Sequence, residues 1–425
     1  MHALRRLWND AAGGLPATFW YLWAGLLINR AGAFAMLFLS LYLTDARGAS
    51  ESLAGTVVGA YGAGGAAGVL LGGVLADRWG RRSTLLAAHL ATTALMVALA
   101  FSRPLLLIAV LSALVGVVHS MPSPAFVAAI VDVVPAQRRS RAFNLQFWAF
   151  NLGMAVASLL AGVLAEASFT ALFLVDAGAT LTAAVVIAWK VPETLRRAAP
   201  SVDLRPPATA ARRPGLRTAL IDRTFLVFVG LTFVLAVLTM QTSTIMPLAM
   251  RADGLGPSAY GLVVALGGAL IVLGQLFVPR LIDRHRKDVV LAVSTALLAV
   301  GFGVLAVADV LGVYLAAAVV WTVGSMLAAP PNAQINADLA PPQLRARYQS
   351  VFYLTFPAAA FVAPTLGGVS LQHLGDGHWL IVGGLGLLAA LGHLLAGPPR
   401  ERHVAALRRA AGREPAPAVD HAPAG

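Results

Sequence analysis

Among the ionisable side chains inside the long apolar runs of this chain, Arg30, His119 and Asp176 stand out, with His89 and His393 having weaker claims. A charge at membrane depth is expensive, so each needs a partner or a task. Arg30, beside Asn29, can bind an anionic group or take part in ion coupling. The plainer reading is a fixed pair with Asp176, toward which the long side chain can snorkel. His119 has the titration range of a proton carrier, against the alternative of a hydrogen-bonded packing residue. A different cluster sits at the ends of the apolar runs: Gly73-Val-Leu-Ala-Asp77-Arg78-Trp-Gly80-Arg81-Arg82, with Asp132 at the end of a later run. Carboxylates and guanidinium groups so placed can pair across helix ends. Gly73 and Gly80 suit close helix approach and a tight turn. Cysteine is absent, which removes thiolate nucleophiles, thiolate metal sites and disulfides. No nucleotide-binding loop or metal-ligand constellation is visible, so neither a cofactor nor a metal is expected.

The elements that must position these residues follow from composition. Apolar residues make up 58% of 425 and charged residues 12%, with a mean hydropathy of +0.77. A water-soluble chain could not solvate such a surface. The net charge of +12 is spread over every second connection rather than gathered in a stripe, which argues against nucleic acid. A helix crosses the hydrocarbon with about 20 apolar residues. Twelve such runs are expected at 17–44, 51–76, 83–102, 105–131, 142–165 and 169–189, then 224–249, 257–281, 289–308, 311–336, 347–373 and 378–396. The implied units are an N-terminal segment 1–16, a six-helix bundle 17–189, a Pro- and Arg-rich linker 190–222, a second bundle 223–396 and a disordered tail 397–425. The first run is too long for a signal peptide and is expected to stay.

The two bundles read as one unit written twice. A constant separation of 206 positions carries Asp132 onto Asp338, Asp77-Arg78 onto Asp283-Arg284, Gly55 onto Gly261, Gly162 onto Gly368 and Pro124 onto Pro330. Such repeats build transport pathways between them. Lys and Arg concentrate on the side of the N-terminus, whereas the opposite connections hold only Arg47, Arg103 and Arg251. By the positive-inside rule both termini and the linker are expected in the cytoplasm of a bacterial cell, the chain being multi-pass in the inner membrane.

Six plus six helices, a central linker and the basic loop after the second helix resemble the major facilitator superfamily. The string from Gly73 to Arg82 matches that superfamily's signature Gly-x-Leu-Ala-Asp-Arg-x-Gly-Arg-Lys/Arg nearly position for position. Within it the chain looks most like bacterial drug and metabolite exporters of the proton-antiporter group. The resemblance implies an all-α membrane protein of twelve transmembrane helices in two pseudo-symmetric six-helix bundles, the major facilitator fold. It also implies that Asp77 faces the N-terminus of helix eleven, and that Arg81 bridges Asp77 to Asp132 in a latch of the outward-facing state. Arg78 and Arg82 would mainly set topology. The second copy of the motif is degraded, with Pro279 for Gly73 and Arg286 for Gly80, which predicts a weaker latch.

Two positions depart from that group. Where many of its members carry an arginine four residues before Gly116, this chain has Ser112, and the helix-five glycine-proline run is reduced to Asn151 through Gly162. Helices one, four, seven and ten line the cavity in this family, which selects Asn29, Arg30, Phe34, His119, Gln241 and Asn332 as cavity or coupling candidates. Phe38, Trp148, Tyr353 and Phe356 are candidates for an aromatic wall. Helix six is peripheral in the family, so Asp176 is read as structural. The function implied is secondary active, proton-coupled efflux of a small amphipathic drug or metabolite by alternating access, with no enzyme activity. Its partners are then a small-molecule substrate, protons and the lipid bilayer, and the chain is expected to be a monomer. The alternatives are a metabolite importer or uniporter of the same fold, or a polytopic membrane protein that does not transport.

Overall fold

The computed structural model describes residues 14–32, 35–194, 217–274, 277–278, 282, 285–341 and 344–411. Phe34, Asp283, Arg284, Pro279 and most of the 190–222 linker lie outside them. Twelve helices are long and apolar enough to cross a membrane. They are α1 (Ala17–Ala46), α2 (Glu51–Arg78), α3 (Arg81–Phe101), α4 (Leu105–Val133), α5 (Arg141–Ala167), α6 (Phe169–Lys190), α7 (Arg223–Thr244), α8 (Pro257–Gly274), α9 (Lys287–Val307), α10 (Leu311–Leu339), α11 (Arg347–Leu374) and α12 (Gly377–Leu395). No strand occurs among the described residues.

Local chemistry sets the boundaries. Ser50, Ser168 and Asp222 each accept an amide from three residues on, at 3.2, 3.2 and 3.1 Å, capping α2, α6 and α7. Gly80, at φ +110°, makes the turn into α3 that a side chain would strain. The disorder expected from Gly397 gives way, over its first part, to a further helix, α13 (Gly397–Ala411). Pro398 and Pro399 fit its first turn, and Val404 packs onto the core.

Two spans are irregular. In α1 the α-helix described over Ala17–Gly32 is followed by a 3-10 turn over Ala35–Phe38 and a π-helix over Tyr42–Ala46. In α4 the helix is interrupted at Met121, where Leu105–Ser120 gives way to Pro122–Val133. Proline there removes an amide donor. Pro330, the counterpart of Pro124, and its neighbour Pro331 leave α10 continuous, so the interruption forms in α4 and not in α10.

Glycine decides how the helices meet. Within the first half, methyl groups at Gly64, Gly68 and Gly72 would overlap the carbonyls of Ala113, Val117 and Met121, so α2 and α4 pack backbone to backbone. Gly73 is different: a methyl there would meet nothing, so its expected role in close approach does not hold. Between the halves α2 lies against α11 and α5 against α8. The contacts begin at the arginine-poor face, where Gly55 meets Pro364 and Gly368, and Gly162 meets Pro257, Ser258 and Gly261. They continue to mid-helix, where Gly62 meets Ala360 and Gly268 meets Ala155. Toward the arginine-rich face the same helices expose Leu70, Val74, Tyr353 and Leu354. The close approaches between the halves thus lie at the arginine-poor face and at mid-helix.

Candidate functional site

At mid-helix, inside the seal, a cavity of about 200 Å³ opens between the halves. The first half lines it with Arg30, Met36, Leu37, Val58, Tyr61, His119, Phe150 and Met154, and the second with Met240, Ser243, Thr244 and Ala360. A smaller chamber of about 90 Å³ shares Arg30 and Phe150, and adds Asn29, His89 and Gln146. A third, of about 220 Å³, shares Phe150 and Met154, and runs toward Trp321 and Thr322 of α10.

Arg30 is the basic residue of the central cavity. Its guanidinium carbon lies 4.9 Å from the centroid of the Phe150 ring, a cation–π contact. Its buried Nε has no hydrogen-bond partner, and among the described residues no ion pair engages it. Gly153 makes room: a methyl there would lie 2.6 Å from the Arg30 Cβ. Across the cavity the Tyr61 hydroxyl and His119 Nδ1 are 2.9 Å apart. His119 stands one residue before the end of the first α4 segment.

Asp176 does not neutralise Arg30 by contact. Its carboxylate accepts the Ala35 amide at 3.2 Å and the Thr180 hydroxyl at 3.4 Å. Thr180 in turn accepts from the Asn29 amide at 3.1 Å. Ala35 is the first described residue of the 3-10 turn in α1, so this buried acid takes up a main-chain amide of that irregular stretch. The structure thus places Asn29 and Asp176 in one network that ties α1 to α6. Gln241 and Asn332 are placed away from the central cavity. Gln241 meets the His378 ring at 3.3 Å and Asn332 accepts the Thr232 hydroxyl at 3.0 Å, both buried in the second half. Of the aromatic candidates, Phe38 packs on Tyr260 with centroids 5.1 Å apart, while Trp148, Tyr353 and Phe356 are exposed. The aromatic residues that do line the cavity, Tyr61 and Phe150, carry no sequence signal that separates them from packing residues.

The arginine-rich face carries the motif. Arg81 reaches Asp132 at 3.0 Å and Asp77 at 3.5 Å, bridging the two as the resemblance implied. The bridge lies within the first half. Asp77 is 76% exposed, and among the described residues its ion pair is with Arg81 of its own half. Arg78 is exposed and makes no ion pair among the described residues. Arg82 donates to the Ala188 carbonyl, tying α3 to α6. Glu193, which sequence reasoning passed over, accepts the Arg81 amide at 2.9 Å and the Ser83 amide at 3.4 Å. Its carboxylate thereby caps α3 against the bare face of Gly80. In the second half Lys287 pairs with Asp338 at 2.8 Å, the counterpart of Arg81 with Asp132. The degraded copy keeps that ion pair.

The arginine-poor face carries a gate. Asp45 at the end of α1 pairs with Arg251, and these two positions are themselves 206 apart. The Ser52 amide donates to Gln372 at 3.1 Å and the Ser258 amide to Glu166 at 3.3 Å; both partners again differ by 206. Each half therefore caps a helix of the other with the same residue position, and the Asp45–Arg251 pair lies where the pseudo-twofold axis passes. Exposed pairs of this kind are worth roughly 0.2–1 kcal/mol, enough to bias closure without locking it.

Two six-helix sets related by a fixed shift, a cavity at their interface, an ion pair across them at one face and a charged motif at the other describe a membrane transporter. The Major Facilitator Superfamily model matches residues 22–249 and 231–422; the chain belongs to that superfamily and is a multi-pass secondary transporter rather than an enzyme. It is 27% identical over 364 residues to the uncharacterized MFS-type transporter YttB of Bacillus subtilis (strain 168), covering 85% of this chain and 90% of that one. It is 24% identical over 358 residues to a Na(+), Li(+), K(+)/H(+) antiporter of Planococcus maritimus, covering 77% and 83%. The multidrug resistance protein MdtH of Aeromonas salmonicida (strain A449) is 24% identical over 393 residues, covering 88% and 93%. Among solved structures, a peptide transporter POT in complex with sulfate superposes with a TM-score of 0.73 at 18% identity, covering 91% of this chain and 96% of that one. That likeness is one of fold.

Proposed function

We propose that the protein exports a small amphipathic compound across the bacterial inner membrane in exchange for protons, with both termini in the cytoplasm. The observation that carries this reading is the cavity at mid-helix between the halves, with the glycine contacts that seal the arginine-poor face beyond it. With the basic face inside, as the positive-inside rule places it, the cavity is loaded from the cytoplasm and unloaded when the Asp45–Arg251 gate opens. Met36, Met154, Met240 and Phe150 offer an adaptable apolar wall, which suits substrates of varied shape. The Tyr61–His119 pair, hydrogen-bonded at 2.9 Å on the cavity wall, is the proton site in this reading. Kinship with a cation/proton antiporter and a multidrug resistance protein supports exchange and efflux.

A second reading is favoured by one observation: His119 and Arg30 line the same cavity. A proton on His119 adds to the positive charge there and would help a negative substrate to bind. Proton and substrate would then travel together, inward. Fluorescent-substrate accumulation in cells that express the protein separates the two. Export predicts low accumulation that rises when an uncoupler is added; import predicts high accumulation that falls. Equal accumulation with and without the protein, over a broad compound set, would sink both.

A further inference from the structure

We propose that the compound carried in the central cavity bears a single negative charge, a carboxylate or its equivalent, which pairs with Arg30. The inference rests on the cavity being the substrate site of a transporter, and on neither the direction of transport nor the coupling ion.

A guanidinium at this depth is costly unless something compensates it. The one acid near it on a facing helix, Asp176, spends its oxygens on the Ala35 amide and the Thr180 hydroxyl. No ion pair from a described residue reaches Arg30, its Nε is an unpartnered buried donor, and among the described residues its ring contact is with Phe150. The fork of donors is held in place by packing at Gly153 and left open on the cavity side. That is the condition in which arginine binds a planar carboxylate in a bidentate way. One guanidinium without a second arginine or lysine in the cavity fits one charge better than a phosphate dianion. The rest of the wall is thioether, leucine, valine and aromatic ring, which suits a ring-sized apolar body. The anion thus supplies the contact partner that no described side chain offers the Arg30 guanidinium.

The test uses the full-length protein purified in detergent and reads thermal stabilisation on titration with matched compounds. Benzoate, phenylacetate and 1-naphthoate are each compared with the corresponding amide, and benzylamine serves as the cation. At least one acid is expected to raise Tm with a Kd about tenfold or more tighter than its amide, the scale of an ion pair made away from water. Arg30→Ala should bring the acid down to the level of the amide, and Arg30→Lys should retain part of the preference. Should Arg30→Ala fail to fold, the acid–amide comparison on the unaltered protein and the Arg30→Lys variant still decide. Amides or benzylamine binding as tightly as the acids, an acid preference that survives Arg30→Ala, or no acid binding at all overturns the proposal. Because the readout is binding, acids that stabilise the protein but do not cross proteoliposomes would defeat the transport reading alone. Flux of neutral or cationic compounds without any acid preference would defeat this inference alone.

Discussion

Gly55 of α2 and Gly368 of α11 meet backbone to backbone: a methyl on Gly55 would lie 3.1 Å from the Gly368 Cα and would overlap the Pro364 carbonyl. A shift of 206 turns this pair into Gly261 and Gly162, which meet in the same way. The two contacts flank the Asp45–Arg251 pair and close the arginine-poor face.

A backbone carbonyl cannot move aside as a side chain can, so Gly55→Ala should hold that face apart. Overpacking typically costs about 1–3 kcal/mol, which shifts a two-state equilibrium by roughly fivefold or more. The chain has no cysteine, so Asp45→Cys with Arg251→Cys gives a disulfide reporter of closure. Adding Gly55→Ala is expected to cut its formation several-fold. Unchanged cross-linking would mean the glycine contact does not control closure.

The ion pair itself can be exchanged. Because Asp45 and Arg251 occupy equivalent positions in the two halves, Asp45→Arg combined with Arg251→Asp places each charge where the other stood. Either single variant should slow transport by at most about fivefold, as an exposed pair allows, and the double variant should recover most of the rate. A double variant slower than both singles would show that the charges act separately.

Asp77 is the residue whose importance and surroundings disagree most here, being exposed in this conformation while central to the motif. Asp77→Asn should therefore leave Tm almost unchanged, within about 0.5 kcal/mol as for other surface changes. Flux in proteoliposomes should nevertheless fall sharply, because the carboxylate is needed opposite α11 once the arginine-rich face closes. Arg81→Ala, which strands Asp132 as well, should lower both. Full flux from Asp77→Asn would remove the latch.

The arginine-poor face also titrates. Burial raises the Asp253 carboxyl above its ordinary value of 3.8, the 2.6 Å hydrogen bond from Tyr314 opposes this, and the nearby Asp376 and Asp309 add to the rise. The folded protein then holds that proton to higher pH than the unfolded chain. Stability from this group is full at low pH, declines as pH climbs from about 3.8 through the raised value, and is level above it. Asp253→Asn keeps an acceptor for Tyr314 and should remove this decline, so that Tm of the variant relative to the unaltered protein rises as pH climbs through that window. A difference in Tm that does not change with pH would show that Asp253 does not titrate there.

Much of this was legible in the residues because the relevant signals are one-dimensional. Twelve apolar runs, a basic motif and a fixed shift of 206 need no knowledge of which way a helix faces. The shift even pairs residues that no motif marks, such as Ser52 with Ser258 and Gln372 with Glu166. The cavity was less legible for a physical reason. Helices in lipid are apolar on every side, so periodicity does not reveal which face points to the pathway. Gln241 and Asn332 were selected by helix and missed by rotation, while Tyr61 and Phe150 look like any membrane aromatic. Glu193 was hidden differently: it begins a proline-rich stretch that reads as linker, and only the chain turning at Gly80 brings its carboxylate onto α3.

The seal at the arginine-poor face is made largely of main chain, and this sets how readily it can part. Glycine has no rotamers to freeze, so bringing α2 onto α11 and α5 onto α8 forfeits little side-chain freedom. Separating them liberates equally little. The two end positions of the rocking motion are thereby kept close in free energy on the protein's side, leaving cargo and the surrounding lipid to tip the balance.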